Sequence, residues 1–180
     1  MRTRLIASVA LLAGLCLTTV LPSAAAQSRS QALLEKEVRK QMLKLPYLGV
    51  FDWLEAQVNA NDGTVELRGE VVRASTKSEI EHRIKKLEGV EQVVNRITLL
   101  PPSPSDARIR RAVYLEVFGR DSPLLRYANQ PNPPIHIIVN NGRVTLKGVV
   151  ATQLEKQVAY ARASIVPGIF GVKNELLVEK

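Results

Sequence analysis

The chain has 180 residues with 25 basic and 17 acidic side chains, and its formal net charge of +8 favours anionic partners. Its single cysteine, Cys16, lies in an N-terminal apolar run, so the rest of the chain excludes disulfides, cysteine nucleophiles and Cys-based metal sites. Any folded part must therefore be held together by its apolar cores.

The N-terminus has the pattern of a secretory signal peptide. Arg2 and Arg4 precede an apolar run over residues 5–21, and small residues follow up to Ala26. This pattern predicts a signal peptide over residues 1–26 with cleavage after Ala26. A membrane anchor is the alternative, but the run is shorter than the about 20 residues that span a bilayer. We expect a periplasmic protein, free or peripheral to a membrane, for which nucleic acid is not a partner.

Residues 31–100 are predicted to form a first unit of one helix, two strands, a second helix and a third strand. Apolar residues at helical spacing predict the first helix over residues 33–45. Period-two alternation predicts two strands joined by a tight turn at residues 61–63. Thr76 and Glu79 form a capping-box pattern before the second helix. The predicted strands of this unit are residues 54–60, 65–71 and 90–100.

The same pattern recurs over residues 106–180. Gly142 follows Gly63 by 79 positions, and the other repeated glycines keep this offset. Ser105 or Asp106 is expected to cap the first helix of this copy, which carries Ile109, Val113 and Val117. Thr152 and Glu155 form a second capping box, about one turn earlier than in the first copy. The predicted strands of this copy are residues 135–139, 144–150 and 172–178.

An offset held without a gap over more than 30 residues indicates one small fold made twice. The predicted fold class is α+β, with two tandem αββαβ units, each a three-stranded sheet packed against two helices. A Pro-rich linker, residues 101–105, separates the units and favours a preferred relative orientation. The copies are expected to differ after their first helices, at residues 46–53 and 119–134. An alignment of Leu34 with Ile109 makes this segment four residues longer in the second copy.

The repeated glycines and asparagines are interpreted as structural. The glycines flank strands and turns instead of opening a helix, which is the wrong spacing for a phosphate-binding loop. The asparagines share the parity of buried positions and are expected to bond backbone and pin the last strand of each copy. These structural residues are Gly63, Gly69, Gly89, Asn95, Gly142, Gly148, Gly168 and Asn174.

No motif predicts catalysis, a cofactor or a metal site. His82 and His136 fall at unrelated places in the two copies and belong to no cluster with metal-ligand spacing. The carboxylates alternate with lysine and arginine on helix faces, as in a solvated surface with ion pairs. General acid–base chemistry would need two such groups held together in a cleft.

Two segments are candidates for lipid binding. One is basic and apolar, on the second copy, and the other is the aromatic segment after Pro46. Phe51 and Trp53 of the aromatic segment suit the headgroup boundary of a bilayer, or alternatively cap the end of a small core. The candidate lipid-binding residues are Arg108, Arg110, Arg111, Leu124, Leu125, Arg126, Tyr127, Phe51 and Trp53.

The repeat resembles the BON domain family. The resemblance rests on the segment 61–71 with its central glycine, on residues 89–95, and on their counterparts 141–149 and 167–174. It implies a periplasmic or envelope protein without known catalysis that interacts with phospholipid. It also implies a link to outer-membrane integrity and osmotic stress.

We therefore expect a non-catalytic envelope protein that binds anionic phospholipid and supports envelope integrity or stress tolerance. The alternative is a protein–protein adaptor or chaperone-like periplasmic stress protein with envelope proteins as partners. The sequence leaves the oligomeric state, the lipid and the choice between inner and outer membrane open.

Overall fold

The computed structural model describes residues 24–130 and 132–179. Residues 1–23, which hold most of the predicted signal peptide, lie outside the described residues. The helices are α1 (Ala24–Leu43), α2 (Ala74–Ile84), α3 (Pro104–Phe118), α4 (Leu125–Ala128) and α5 (Gln153–Ser164). The strands are β1 (Trp53–Asn59), β2 (Thr64–Val71), β3 (Gln92–Leu99), β4 (Ile135–Asn140), β5 (Arg143–Val150) and β6 (Gly171–Val178).

Each copy forms its own three-stranded sheet, with the orders β1-β2-β3 and β4-β5-β6. In both sheets the first two strands are antiparallel and the last two are parallel. A tight turn can join the antiparallel pair, whereas the parallel pair needs the crossover helix α2 or α5. Val65 pairs with Val93, and Val144 pairs with Val172, so the two registers match. The predicted fold class, with two tandem αββαβ units, is confirmed.

The repeated asparagines connect the last strand of each copy to the preceding helix. The Asn95 side-chain amide donates to the Lys77 carbonyl at 3.3 Å, and that of Asn174 donates to the Lys156 carbonyl at 2.8 Å. Each carboxamide oxygen also accepts the N–H two residues further along. These bonds hold the last strand of each copy to the backbone of α2 and α5.

Gly69 and Gly148 allow the first strand of each sheet to approach the second closely. Their φ values are +132° and +120°, which side chains rarely adopt. A Cβ atom at Gly69 would collide with the carbonyl oxygen of Trp53, and one at Gly148 would collide with that of Pro134. A side chain at either position would therefore prevent this close approach.

The capping box predicted for α2 is wrong. This helix begins three residues earlier than predicted, with Arg73 at its N-cap and no side-chain cap. Thr76 lies inside the helix, where it is buried. In α5 the box of Thr152 and Glu155 is present as predicted. Arg73 and Thr152 are 79 positions apart, so the expected one-turn difference between the copies does not exist.

The cap predicted for α3 is also wrong. Ser103, one turn earlier, accepts the N–H of Asp106 and precedes Pro104 at the start of the helix. The Asp106 carboxylate is buried and accepts the N–H groups of Asn141 and Gly142 at 2.9 and 2.8 Å. Asp106 therefore holds the β4–β5 turn against α3.

The first helices of the two copies also follow the offset of 79, which corrects the expected alignment of Leu34 with Ile109. The Gln31 side chain donates to the Val58 carbonyl on the free edge of β1, and Arg110 donates to the Val139 carbonyl on the free edge of β4. Gln31 and Arg110 are 79 positions apart, and so are the buried pairs Leu34 and Val113, and Val38 and Val117, although the two bonded carbonyls are 81 apart. The connection in the second copy is longer because α3 ends early and β4 begins late. No residues are inserted.

The two copies contact each other through the segment before β1. The Ile137 N–H on the edge of β4 donates to the Val50 carbonyl at 2.7 Å. Val50 and Phe51 pack against the core of the second copy. Lys147 of β5 lies 3.3 Å from the Glu70 carboxylate of β2. The second copy therefore buries residues supplied by the first.

Candidate functional site

One face of α3 combines positive charge with an exposed apolar side chain. Arg108, Arg111 and Leu115 are three and four positions apart, so they lie on the same face of the helix. Both arginines are exposed, and the Leu115 side chain is 61% exposed. Among the described residues neither arginine forms an ion pair, and Arg108 bonds only the Ser105 hydroxyl at 3.3 Å. We call these three residues the α3 face.

Arg110, which was grouped with these arginines, points to the opposite side of α3. It is 5% exposed, and its Nη2 donates to the Val139 carbonyl at 2.8 Å. Burial lowers the pKa of its guanidinium from the ordinary value, and the nearby Asp106 and Asp52 oppose this shift. Arg110 closes the free edge of β4, so its expected place on the lipid-facing surface is corrected.

Leu124 and Tyr127 do not form an exposed loop. Leu124 is fully buried and Tyr127 is 7% exposed, because the short helix α4 lays both side chains on the core of the second copy. The Tyr127 hydroxyl donates to the Glu155 carboxylate at 3.0 Å and accepts the N–H of Ala151. The expectation that these two residues insert into a membrane is corrected by this packing.

Leu125 and Arg126 lie on the outer side of α4. Leu125 is half-buried, whereas Arg126 is exposed. Arg126 forms an ion pair with Glu155 and lies over the Tyr127 ring, 4.9 Å from its centroid. The hydrogen bond to Tyr127 and the charge of Glu155 raise the pKa of Arg126. Its charge is thus partly neutralised by a neighbour, unlike the charges of the α3 face.

Phe51 and Trp53 are half-buried and lie at the junction of the two copies. The Phe51 ring meets Tyr114 of α3 at a centroid distance of 6.1 Å. The Trp53 ring meets His136 of β4 at 5.0 Å, and its indole N–H donates to Glu55. The sequence left two placements open for these side chains, at a membrane boundary or over the end of the first core. The structure places them instead between the two copies.

Sequence reasoning missed Leu115 and two further exposed apolar residues on the second copy. Leu154 of α5 and Ile165, the C-cap of this helix, are both 68% exposed. Helices α3 and α5 pack against each other, so they cover the same face of the sheet. A signal for Leu115 was present, since it is an apolar residue on the polar side of a helix beside two arginines.

The carboxylates lie among basic side chains, as expected. The Arg68 guanidinium binds Glu66 at 2.9 Å, and this hydrogen bond lowers the pKa of that carboxyl group. Arg96 approaches the same carboxylate at 2.8 Å. Over residues 24–130 and 132–179 no group of three or more His, Cys, Asp or Glu residues is placed to hold a metal ion.

The family model of the BON domain matches residues 30–101 and 122–180, which is well over half of the chain. The chain belongs to the BON domain family. The two matches confirm the resemblance to a tandem, dual-BON protein. BON domains are associated with phospholipid or membrane binding in envelope proteins, and membership points to a non-catalytic protein.

Among solved structures, the chain is similar to two of CdsD from Chlamydia trachomatis, a structural protein of the type III secretion system. The C-terminal domain of CdsD is 13% identical with a TM-score of 0.32, and the match covers 82% of this chain and 98% of that chain. The second CdsD structure is 14% identical with a TM-score of 0.31, and covers 82% and 93%. Comparison with curated protein sequences finds no significant match.

BON domain proteins are typically periplasmic or envelope-associated. Within the part of the chain that the structure describes, no helix combines the length and the apolar character needed to cross a bilayer.

Proposed function

We propose that this protein is an exported, non-catalytic envelope protein that binds anionic phospholipid surfaces through the α3 face. The observation that carries the proposal is the grouping of Arg108, Arg111 and Leu115 on one exposed helix face. The arginines attract the headgroups, and Leu115 inserts shallowly between them. The phospholipid association of BON domains supports the same function.

The expected free energies of these contacts are those of reversible membrane binding. Each basic residue near an anionic membrane contributes about 1 kcal/mol, which salt weakens by screening. Burial of one leucine side chain adds about 1.5–3 kcal/mol. Arg126, Leu154 and Ile165 lie on the same copy and extend the surface that meets the membrane. Phe51 and Trp53, which lie at the junction, contribute through their exposed fractions.

Export with cleavage after Ala26 and a role in envelope integrity or osmotic stress tolerance belong to the same proposal. Cleavage there would leave α1 beginning at Gln27, which keeps Gln31 and its contact with β1. The mass of the mature protein, measured after expression in bacterial cells, tests the cleavage site. A protein that retains residues 1–26 in the periplasmic fraction would contradict it.

Co-sedimentation with vesicles tests the lipid binding. We expect binding to phosphatidylglycerol vesicles, weak binding to phosphatidylcholine vesicles, and a loss of binding as salt is raised. Arg108→Glu with Arg111→Glu should abolish binding. Lys36→Glu with Lys44→Glu is the matched control, because it changes the net charge equally on exposed residues of the first copy.

Equal binding to the two kinds of vesicle, or equal loss in both double variants, would contradict the proposal. A stoichiometric envelope-protein partner without any vesicle binding would favour the adaptor role instead.

A further inference from the structure

A groove of about 480 Å³ runs beside the free edge of β1 in the first copy. Helix α1 forms one wall, β1 forms the other, and residues 132–136 of the second copy close one end. Val38, Met42 and Leu54 give the groove an apolar lining, and Glu35 and Arg39 supply charge. The α3 face lies on the other copy, so this groove is a separate surface.

The β1 edge presents unpaired main-chain groups to the groove. The Gln31 side chain donates to the Val58 carbonyl at 2.6 Å and accepts the Ala60 N–H at 2.8 Å. These are the groups that a neighbouring strand would bond. Main-chain groups alternate along a strand, so those of Ala56 and Leu54 point to the same side. Within residues 24–130 and 132–179, no hydrogen bond occupies them.

The equivalent edge in the second copy is already covered by a turn at residues 49–52, in which the Asp52 N–H donates to the Gly49 carbonyl. Ile137, which is 79 positions after Val58, donates its N–H to the Val50 carbonyl at 2.7 Å. Phe51 then packs against Tyr114, which is 79 positions after Glu35. The site between first helix and first strand therefore holds a polypeptide segment in one copy and is open in the other.

We propose that the open groove binds a short segment of a partner protein, whose main chain bonds the free edge of β1. Its main chain bonds the outward groups of Ala56 and the N–H of Val58, and one apolar side chain packs against Val38, Met42 and Leu54. This is the general mode of strand addition, in which main-chain bonds give affinity and alternate side chains give specificity.

Two observations favour a partner polypeptide over other occupants. A lipid acyl chain would cover the main-chain groups of β1 without bonding them, which costs free energy. A second copy of this chain would have to offer residues 128–130, the counterpart of residues 49–51. That segment has Gln130 where Phe51 supplies the packed ring, so it lacks the apolar side chain.

A blocked hexapeptide that copies residues 47–52 is a suitable probe, because this segment fills the equivalent site and contains no tryptophan. Trp53 is the only tryptophan of the chain and lines the groove, so its fluorescence reports binding directly. We expect a saturable change in emission when the peptide is added to the full chain. Replacement of the valine–phenylalanine amide by an ester should weaken binding about tenfold, because it makes the valine carbonyl a weaker acceptor for the strand.

Two variants locate the binding. Glu35→Tyr with Arg39→Phe gives the groove the side chains that line the occupied site, and it should tighten binding. Ala56→Pro removes an outward N–H, which an edge strand tolerates, and it should abolish binding without loss of the folded state by circular dichroism. Arg108→Glu with Arg111→Glu should leave peptide binding unchanged, which separates this proposal from the lipid one.

The absence of a saturable change in both the natural chain and the Glu35→Tyr, Arg39→Phe variant would overturn the proposal. Equal affinity of the ester and amide peptides would also overturn it. So would equal binding by a folded Ala56→Pro variant.

Discussion

The imidazole of His136 lies edge-on against the indole of Trp53, with ring centroids 5.0 Å apart and ring planes at 70°. Trp53 begins the first strand of one copy, and His136 lies in the first strand of the other. Lys147 adds its ammonium group 5.9 Å from the Trp53 ring centroid. This contact joins two units whose separate cores are small.

The junction should weaken below neutral pH. Burial lowers the pKa of His136 from its ordinary value of 6.5, and the nearby Asp52 only partly opposes this shift. The folded state thus holds His136 neutral, while the unfolded state takes up a proton as the pH falls. The contribution of His136 to the free energy of unfolding is complete above about pH 6.5. It is lost as the pH falls toward the lowered pKa.

Urea unfolding between pH 8 and pH 5 measures this loss, whose slope is at most about 1.4 kcal/mol per pH unit. His136→Gln should flatten the dependence on pH. An equal slope in the natural chain and in His136→Gln would refute the assignment.

Alanine at Gly148 should destabilise the protein more than alanine at Gly168. Both glycines have positive φ, so each substitution carries a backbone cost of about 1–2 kcal/mol. At Gly168 the added Cβ meets nothing within 4 Å, while at Gly148 it collides with the Pro134 carbonyl. Thermal unfolding of the two variants measures the difference, and equal costs would show that the strand approach is not tight.

Asp106→Ala should be strongly destabilising although Asp106 is a polar residue on a helix. It leaves the N–H groups of Asn141 and Gly142 without their acceptor, at a cost of about 1–3 kcal/mol each. Asp121→Ala is the control, because its side chain is exposed. Equal unfolding midpoints in urea for these two variants would mean that the carboxylate does not hold the turn.

Helix capping should differ between the copies. Thr152→Ala removes a complete capping box from α5 and should cost about 1 kcal/mol. Arg73→Thr supplies the missing cap to α2 and should stabilise the protein, by less than that amount, because it also removes a contact with Tyr47. The two variants should change the stability measured by urea unfolding in opposite directions. A change in the same direction would contradict the cap assignment.

Much of the fold could be predicted from the sequence because each local pattern repeats at one spacing. The alternation of apolar and polar residues predicted the strands. The repeated asparagines and glycines predicted equivalent positions in the two copies. The cap of α2 was misplaced because Thr76 satisfies a short pattern that the actual N-cap, Arg73, does not, and that of α3 because Ser105 satisfies one as well as Ser103 does. Burial in the folded protein distinguishes a residue inside the helix from its N-cap, as the buried Thr76 shows.

The candidate site was predicted less well, since burial of irregular segments has no sequence period. Leu124 and Tyr127 belong to a short helix whose side chains could equally face solvent, and only packing on the second core decides. Arg110 differs from Arg111 by one position, which turns its side chain from solvent to the edge of β4. Arg108 and Arg111 keep the exposed placement that the lipid hypothesis needs.

A single fluorescent label on α3 tests the central claim most directly. The chain from Gln27 onward has no cysteine, so Leu115→Cys gives one attachment point for an environment-sensitive dye. Lys36→Cys is the matched control, because Lys36 is exposed at the equivalent position of α1. We predict a blue shift at position 115 with phosphatidylglycerol vesicles but not with phosphatidylcholine vesicles, and no shift at position 36. No shift at position 115, or the same shift at both positions, would contradict lipid binding through the α3 face.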